Sequence, residues 1–271
     1  MKLGRCLFGL GAAGLGVLAY GALVESKRLT LERYRIRLPR WPERLNGFTV
    51  ALLADFHLRD RHSAELAERA IAAALDAEPD VVVIAGDFVG HWTESSPRMV
   101  GDVLEPLLLM EGRVVAVPGN HDYLGYGDAD LLGAICGALN IRLLRNSSWL
   151  SQGIRWVGID SFNAGYADPS AAFGDIPADA SEPSIVVWHE PDLVATLPPG
   201  ASLMLAGHSH GGQFLAPWGW APMSTENGRR YVRGYYPEAS TPLFVTRGVG
   251  TTGPPSRLFC RPEVAVLQLT R

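Results

Sequence analysis

Asp55-Phe56-His57, Gly86-Asp87, Gly119-Asn120-His121-Asp122, His189 and Gly207-His208-Ser209-His210 gather most of the groups in this chain that could bind metal or move protons. Five of the seven histidines lie in these clusters. Imidazole nitrogens mixed with carboxylate and amide oxygens, without thiolates, suit Mn, Fe, Zn or a similar divalent ion. The seven candidate ligands are Asp55, His57, Asp87, Asn120, His189, His208 and His210, more than one ion needs. Two ions sharing a bridging carboxylate would use them all, and ions about 3.5–4 Å apart are a recurring device for in-line displacement at phosphorus. Taken alone, His189 before Glu190-Pro191 would read as a turn residue. The cysteines Cys6, Cys136 and Cys260 are scattered and form no Cys-x-x-Cys, which excludes a disulfide framework or a thiolate zinc cluster.

Each cluster closes an apolar run, so strands must deliver these residues. Strands are expected at residues 48–54, 81–85, 114–117, 141–144, 154–159, 185–188, 203–205, 231–233, 243–246 and 264–269, with an alternating first strand at 29–38. Helices are expected at 63–77 with Ser63 as cap, at 97–110 interrupted by Pro106, and at 128–139. Strand-helix-strand order early and strands late predict an α/β sandwich, two packed mixed β-sheets flanked by helices. In α/β sheets ligands bind where the carboxyl ends of strands converge, and the polar clusters sit at such ends.

In this order, Asp-x-His, Gly-Asp, Gly-Asn-His-Asp, a lone His and Gly-His-x-His resemble the calcineurin-like metallophosphoesterase superfamily, over roughly residues 48–212. The resemblance implies one metal held by Asp55, His57, Asp87 and His210 and another by Asp87, Asn120, His189 and His208, with Asp87 bridging. It implies that His121 acts on the leaving-group oxygen. His189-Glu190-Pro191-Asp192, Arg247-Gly248-Val249-Gly250-Thr251 and Cys260-Arg261-Pro262-Glu263 resemble its membrane-associated phosphodiesterase branch. That branch includes enzymes cleaving UDP-diacylglucosamine in lipid A biosynthesis. One departure stands out. Many members continue the second motif as Gly-Asp-x-x-Asp, whose last acid orients the catalytic histidine, whereas this chain has Gly90 there. Asp122 and Glu94 are the candidate substitutes.

Outside the motif region, residues 6–24 carry no charge, and as a helix would rise about 28 Å, close to the hydrocarbon core of a bilayer. An uncleaved single-pass anchor over residues 1–24 is expected, with a signal sequence cleaved near Ala19-Tyr20-Gly21 as the alternative. A basic juxtamembrane segment and first strand follow at 25–47, then the catalytic domain at 48–271. Lys27, Arg28, Arg33, Arg35, Arg37 and Arg40 outnumber Lys2 and Arg5, which favours the cytoplasmic face for that domain. The net charge of −4 removes the basic excess of a nucleic-acid coat. His91, Trp218, Trp220 and Arg229 are candidate substrate contacts, the two tryptophans as an apolar wall or a membrane-dipping loop. Their plainer readings are a loop histidine, packing in a Gly/Pro-rich loop, and one arginine among many. The expected activity is a phosphodiesterase or pyrophosphatase acting on a phosphate ester that could be lipid-linked. A phosphomonoesterase of soluble substrates and a non-catalytic metal-binding scaffold are the alternatives.

Overall fold

The computed structural model describes residues 14, 16–174, 176–177 and 179–271. One sheet runs in the order β1 (Thr30–Arg37), β12 (Glu263–Thr270), β2 (Thr49–Leu53), β3 (Val81–Ala85), β4 (Val114–Val117), β5 (Arg142–Leu143). The other runs β10 (Gly234–Tyr236), β11 (Leu243–Val245), β9 (Leu203–Ala206), β8 (Ser184–Val187), β7 (Ile154–Gly158), β6 (Ser147–Ser151). β2, β3, β4 and β5 are mutually parallel, as are β7, β8, β9 and β11. The central strands are apolar along nearly their whole length because both faces are covered. Leu52, Val83 and Val115 of the first sheet meet Trp156, Ile185, Leu205 and Phe244 of the second in a shared core. Helices α1 (Arg61–Asp76), α2 (Ser96–Leu104) and α3 (Ala129–Ala138) cover the outer face of the first sheet. The short α4 (Pro169–Gly174) and a 3-10 helix at Pro191–Thr196 lie on the second.

The layered α/β arrangement matches the expectation, with local corrections. Asp60, not Ser63, caps α1: its carboxylate accepts from Ser63 N at 2.8 Å, and Ser63 sits at the third helical position of a capping box. The helix expected at 97–110 divides into α2 and a 3-10 segment, Glu105–Met110, because Pro106 lacks the N–H an α-helix needs. Residues 231–233 are not a strand. Tyr231 N is taken by the Asp192 carboxylate at 2.9 Å, and the N–H groups of Val232 and Arg233 by the Tyr236 hydroxyl, so the ladder forms instead at Gly234–Tyr236.

β1 lies in the expected basic segment and pairs with β12 from the other end of the chain, its Arg33, Arg35 and Arg37 all on the exposed side. Most of the expected anchor falls outside the described residues. Residues 16–23 are helical, and among the described residues no helix is long and apolar enough to cross a membrane.

Candidate metal centre and active site

Parallel strands in both sheets direct their carboxyl ends to one edge. Asp55 and His57 follow β2, Asp87 follows β3, and Asn120 opens a 3-10 turn after β4. His189 follows β8, and His208 and His210 follow β9. Five of these residues have left-handed backbone: Asp55 (φ 56°), His57 (47°), Asp87 (57°), His208 (70°) and His210 (51°). Such conformations cost about 1–3 kcal/mol each for non-glycine residues and cluster where a site dictates the backbone. The loop after β11 closes the floor, Val249 N donating to Ala54 O at 3.0 Å and Gly250 N to Asp55 O at 2.6 Å. Two glycines are required by close approach. A Cβ at Gly119 would stand 2.3 Å from Asp87 Oδ1, and one at Gly248 2.5 Å from Asp55 Oδ2.

Ligand atoms of Asp55, His57, Asp87 and His210 lie within 4.8 Å of one another, and so do those of Asp87, His189 and His208, all buried. Asp87 belongs to both groups. Its Oδ2 is 3.3 Å from His57 Nε2 and 3.2 Å from His189 Nε2, while His57 Nε2 and His210 Nε2 are 3.0 Å apart. Second partners fix the tautomers. His189 Nδ1–H donates to Ala85 O at 2.6 Å and His208 Nε2–H to Glu226 O at 2.6 Å, which leaves His208 Nδ1 as a lone pair 3.2 Å from His189 Nε2, the atom that faces Asp87. Asn120 Oδ1 is buried with no hydrogen-bond partner, an orphaned acceptor whose lone pairs suit a cation.

The protonation pattern agrees. Burial pushes His57 below its ordinary pKa, pushes His208 down to about 4, and holds His210 far below, so these imidazoles are neutral and free to ligate. Burial, reinforced by the nearby Asp87 charge, pushes Asp55 up to about 7. Burial opposes charge on Asp87 and His189 too, yet their mutual attraction prevails, holding Asp87 well below and His189 well above their usual ranges. A buried carboxylate raised by its own burial and by the charge of its neighbour marks a site deficient in positive charge.

His121 lies against this cluster, its ring 4.6 Å from that of His57 and its backbone N–H donating to Asp87 Oδ1 at 2.8 Å. Its Nδ1 is 2.7 Å from Gly90 O, which can only accept, so Nδ1 carries the proton and Nε2 is left to exchange one. The main-chain carbonyl of residue 90 thus stands where a side-chain carboxylate was missed in the sequence. Asp122 has another task. Its buried carboxylate accepts from four backbone N–H groups, those of Asp87, Phe88, Val89 and Gly119, at 2.8–3.1 Å. Glu94 is exposed and makes no hydrogen bond to His121.

Residues 48–212 match the family model described as calcineurin-like phosphoesterase. The chain belongs to the calcineurin-like phosphoesterase family. The phosphoesterase is 31% identical to phosphodiesterase YaeI of Escherichia coli, over 88% of each chain. It is 28% identical to an uncharacterized metallophosphoesterase, YkuE, of Bacillus subtilis, over 97% of this chain and 94% of that one. It is also 27% identical to UDP-2,3-diacylglucosamine pyrophosphatase LpxG of Chlamydia trachomatis, over 90% of each.

In this phosphoesterase a cavity of ≈ 250 Å³ opens over the cluster, lined by Asp87, Asn120, His121, Asn163, His208 and His210 together with Thr225, Glu226 and Thr252. His91, Trp218, Trp220 and Arg229 are not in that lining. His91 is exposed, Trp218 and Trp220 are 78% and 60% exposed, and Arg229 uses its backbone N–H to reach Asp192 at 2.8 Å. Arg257 escaped sequence reading altogether. Fully buried, its guanidinium donates to the carbonyls of Gly250, Gly248, Arg247, Cys260 and His210 and so ties together the loop beneath Asp55. An arginine within Pro-Pro-Ser-Arg has no spacing that would mark it. Glu190, beside His189, is likewise buried and accepts from Ser161 Oγ at 2.5 Å and Asn163 N at 3.1 Å, holding one cavity wall.

Proposed function

We propose that this phosphoesterase is a membrane-anchored, dinuclear-metal phosphodiesterase or pyrophosphatase. The observation that carries the reading is the division of the buried ligands into two groups that share Asp87, with Asn120 Oδ1 unpartnered beside them. Asp55, His57, Asp87 and His210 would hold one ion, and Asp87, Asn120, His189 and His208 the other. Bound divalent ions would supply the positive charge that polarises a phosphoryl group and lowers the pKa of water. The chain's own residues do the rest. His121, held through Nδ1 by Gly90 O, presents Nε2 as the donor to the departing oxygen, which is a positioned general acid. Asp122 fixes the two loops that carry Asp87 and Asn120, and Arg257 fixes the loop under Asp55.

The likeness to the Chlamydia pyrophosphatase over most of both chains supports a lipid-linked nucleotide sugar such as UDP-diacylglucosamine as substrate. The uncharged run at residues 6–24 supports the anchor, and the outward row Arg33, Arg35, Arg37 suits anionic head groups on the cytoplasmic face. The test uses full-length protein with Mn²⁺ on UDP-diacylglucosamine, a bis-aryl phosphate and aryl monoesters. Cleavage of the first two is expected, and cleavage of monoesters alone would overturn the reading. In the same assay Asp87→Ala loses metal and activity together, whereas His121→Ala keeps its metal and loses turnover. A C-terminal reporter active only outside the cytoplasm would refute the assigned face.

A further inference from the structure

A second cavity, of ≈ 190 Å³, adjoins the first and shares His210, Thr225 and Thr252 with it. Beyond those three its wall includes Gly212, Phe214, Met223 and Pro254, and it holds no carboxylate, lysine or arginine. Most of its polar side chains are already engaged, His210 Nδ1 being buried without a partner. Gln213 Nε2 donates to Thr252 O at 2.8 Å and to Pro254 O at 3.3 Å, and its Oε1 accepts from Thr252 N at 3.0 Å. Ser209 Oγ donates to Val232 O, Ser224 Oγ to Gly228 O and Thr225 Oγ1 to His208 O. Away from His210 and Thr252, a polar group entering here would be stripped of water with few replacement partners, whereas hydrocarbon would gain by leaving water. The volume exceeds the roughly 150 Å³ that accommodates benzene in a protein interior. At the rim Met223 is 63% exposed, an unbranched side chain able to fold over an irregular guest.

We propose that this compartment receives a hydrocarbon substituent of about six carbons carried by the phosphate that sits in the adjoining cavity. The proposal rests on the phosphoesterase reading for that neighbouring phosphate and adds the substituent's chemical class. It favours substrates that bring a hydrocarbon chain beside the phosphate and gives small hydrophilic esters no advantage.

The test titrates Mn²⁺-loaded full-length protein with methyl-, butyl-, hexyl- and dodecylphosphonate by calorimetry. Affinity is expected to rise by up to fourfold per methylene and to level off near six carbons. Met223→Glu, at an exposed position outside the metal cluster, should leave methylphosphonate affinity within twofold and flatten the chain-length gain at least tenfold. Equal affinity for methyl- and hexylphosphonate would overturn the compartment, and so would an unchanged gain in Met223→Glu. Hydrolysis of methyl and hexyl aryl phosphodiesters separates the two readings. Cleavage of both without chain preference in binding sinks the compartment alone, whereas a binding preference with no diester cleavage sinks the phosphodiesterase reading alone.

Discussion

Asp122→Asn removes one oxygen from a carboxylate that serves four donors. Oδ1 accepts from Phe88 N at 2.8 Å and Val89 N at 3.1 Å, and Oδ2 from Asp87 N at 3.0 Å and Gly119 N at 2.8 Å. Whichever way the amide is turned, two of those N–H groups face an NH₂ that cannot accept, and the side chain is buried with no room to turn away. Bonds to a charged acceptor contribute about 1.5–3 kcal/mol each, so the loss is about 3–6 kcal/mol. At about 2–4 °C per kcal/mol for a large domain, the melting midpoint of metal-free protein should fall by roughly 6–24 °C. Circular dichroism on metal-stripped samples separates this from any loss of metal. Elemental analysis should then show fewer ions per chain, because the four N–H groups belong to the loops that aim Asp87 and Asn120. Glu94→Gln is the control and should melt like the parent. A midpoint for Asp122→Asn within about 2 °C of the parent would refute the bracing role.

Arg257→Lys replaces a planar donor shared among five carbonyls by one ammonium, so at least two buried carbonyls lose their partner, at about 1–3 kcal/mol each. Metal content should fall from two ions towards one as the Asp55 and His210 side loosens, and two tightly held ions with an unchanged melting point would contradict this. The pH dependence has a definite sign. Burial lifts metal-free Asp55 to about 7 from 3.8, so the folded state binds more protons than the unfolded between those values. The stability that Asp55 contributes to metal-free protein should therefore shrink as pH rises from about 4 to 7, read as the difference in melting midpoint between the parent and Asp55→Asn, and Mn²⁺ should bind more tightly as pH rises through 7 because Asp55 and His189 must release protons to it. Affinity that is flat from pH 6 to 8 would refute the second, and a midpoint difference that does not change between pH 4 and 7 would refute the first.

The metal-bearing strands were legible because residues 81–85 and 114–117 are unbroken aliphatic runs that end in Gly-Asp and Pro-Gly-Asn-His, and burial on both faces leaves such runs no other place. β6 was not legible. Its sequence, Ser-Ser-Trp-Leu-Ser, is half-exposed at a sheet edge, and the hairpin to β7 turns on Gln152 and Gly153, both left-handed, where glycine alone was a weak marker. The two ligand groups came from the ordered motifs, but the groups that brace them did not. Asp122 was noticed for the wrong partner, because a carboxylate beside a histidine in sequence says nothing of which way it turns. Arg257 and the Gly90 carbonyl act through the main chain, which every residue possesses.

The Gly90 carbonyl holds the His121 ring differently from the way an acid would. A carboxylate partner would bring a full negative charge to the imidazolium and could itself be protonated, whereas the Gly90 carbonyl brings only a dipole and does not titrate. The hold on Nδ1 therefore does not depend on the protonation of the group that provides it. Because the holding group is backbone, the identity of the side chain at position 90 leaves it untouched: a Cβ there would meet nothing closer than 3.9 Å.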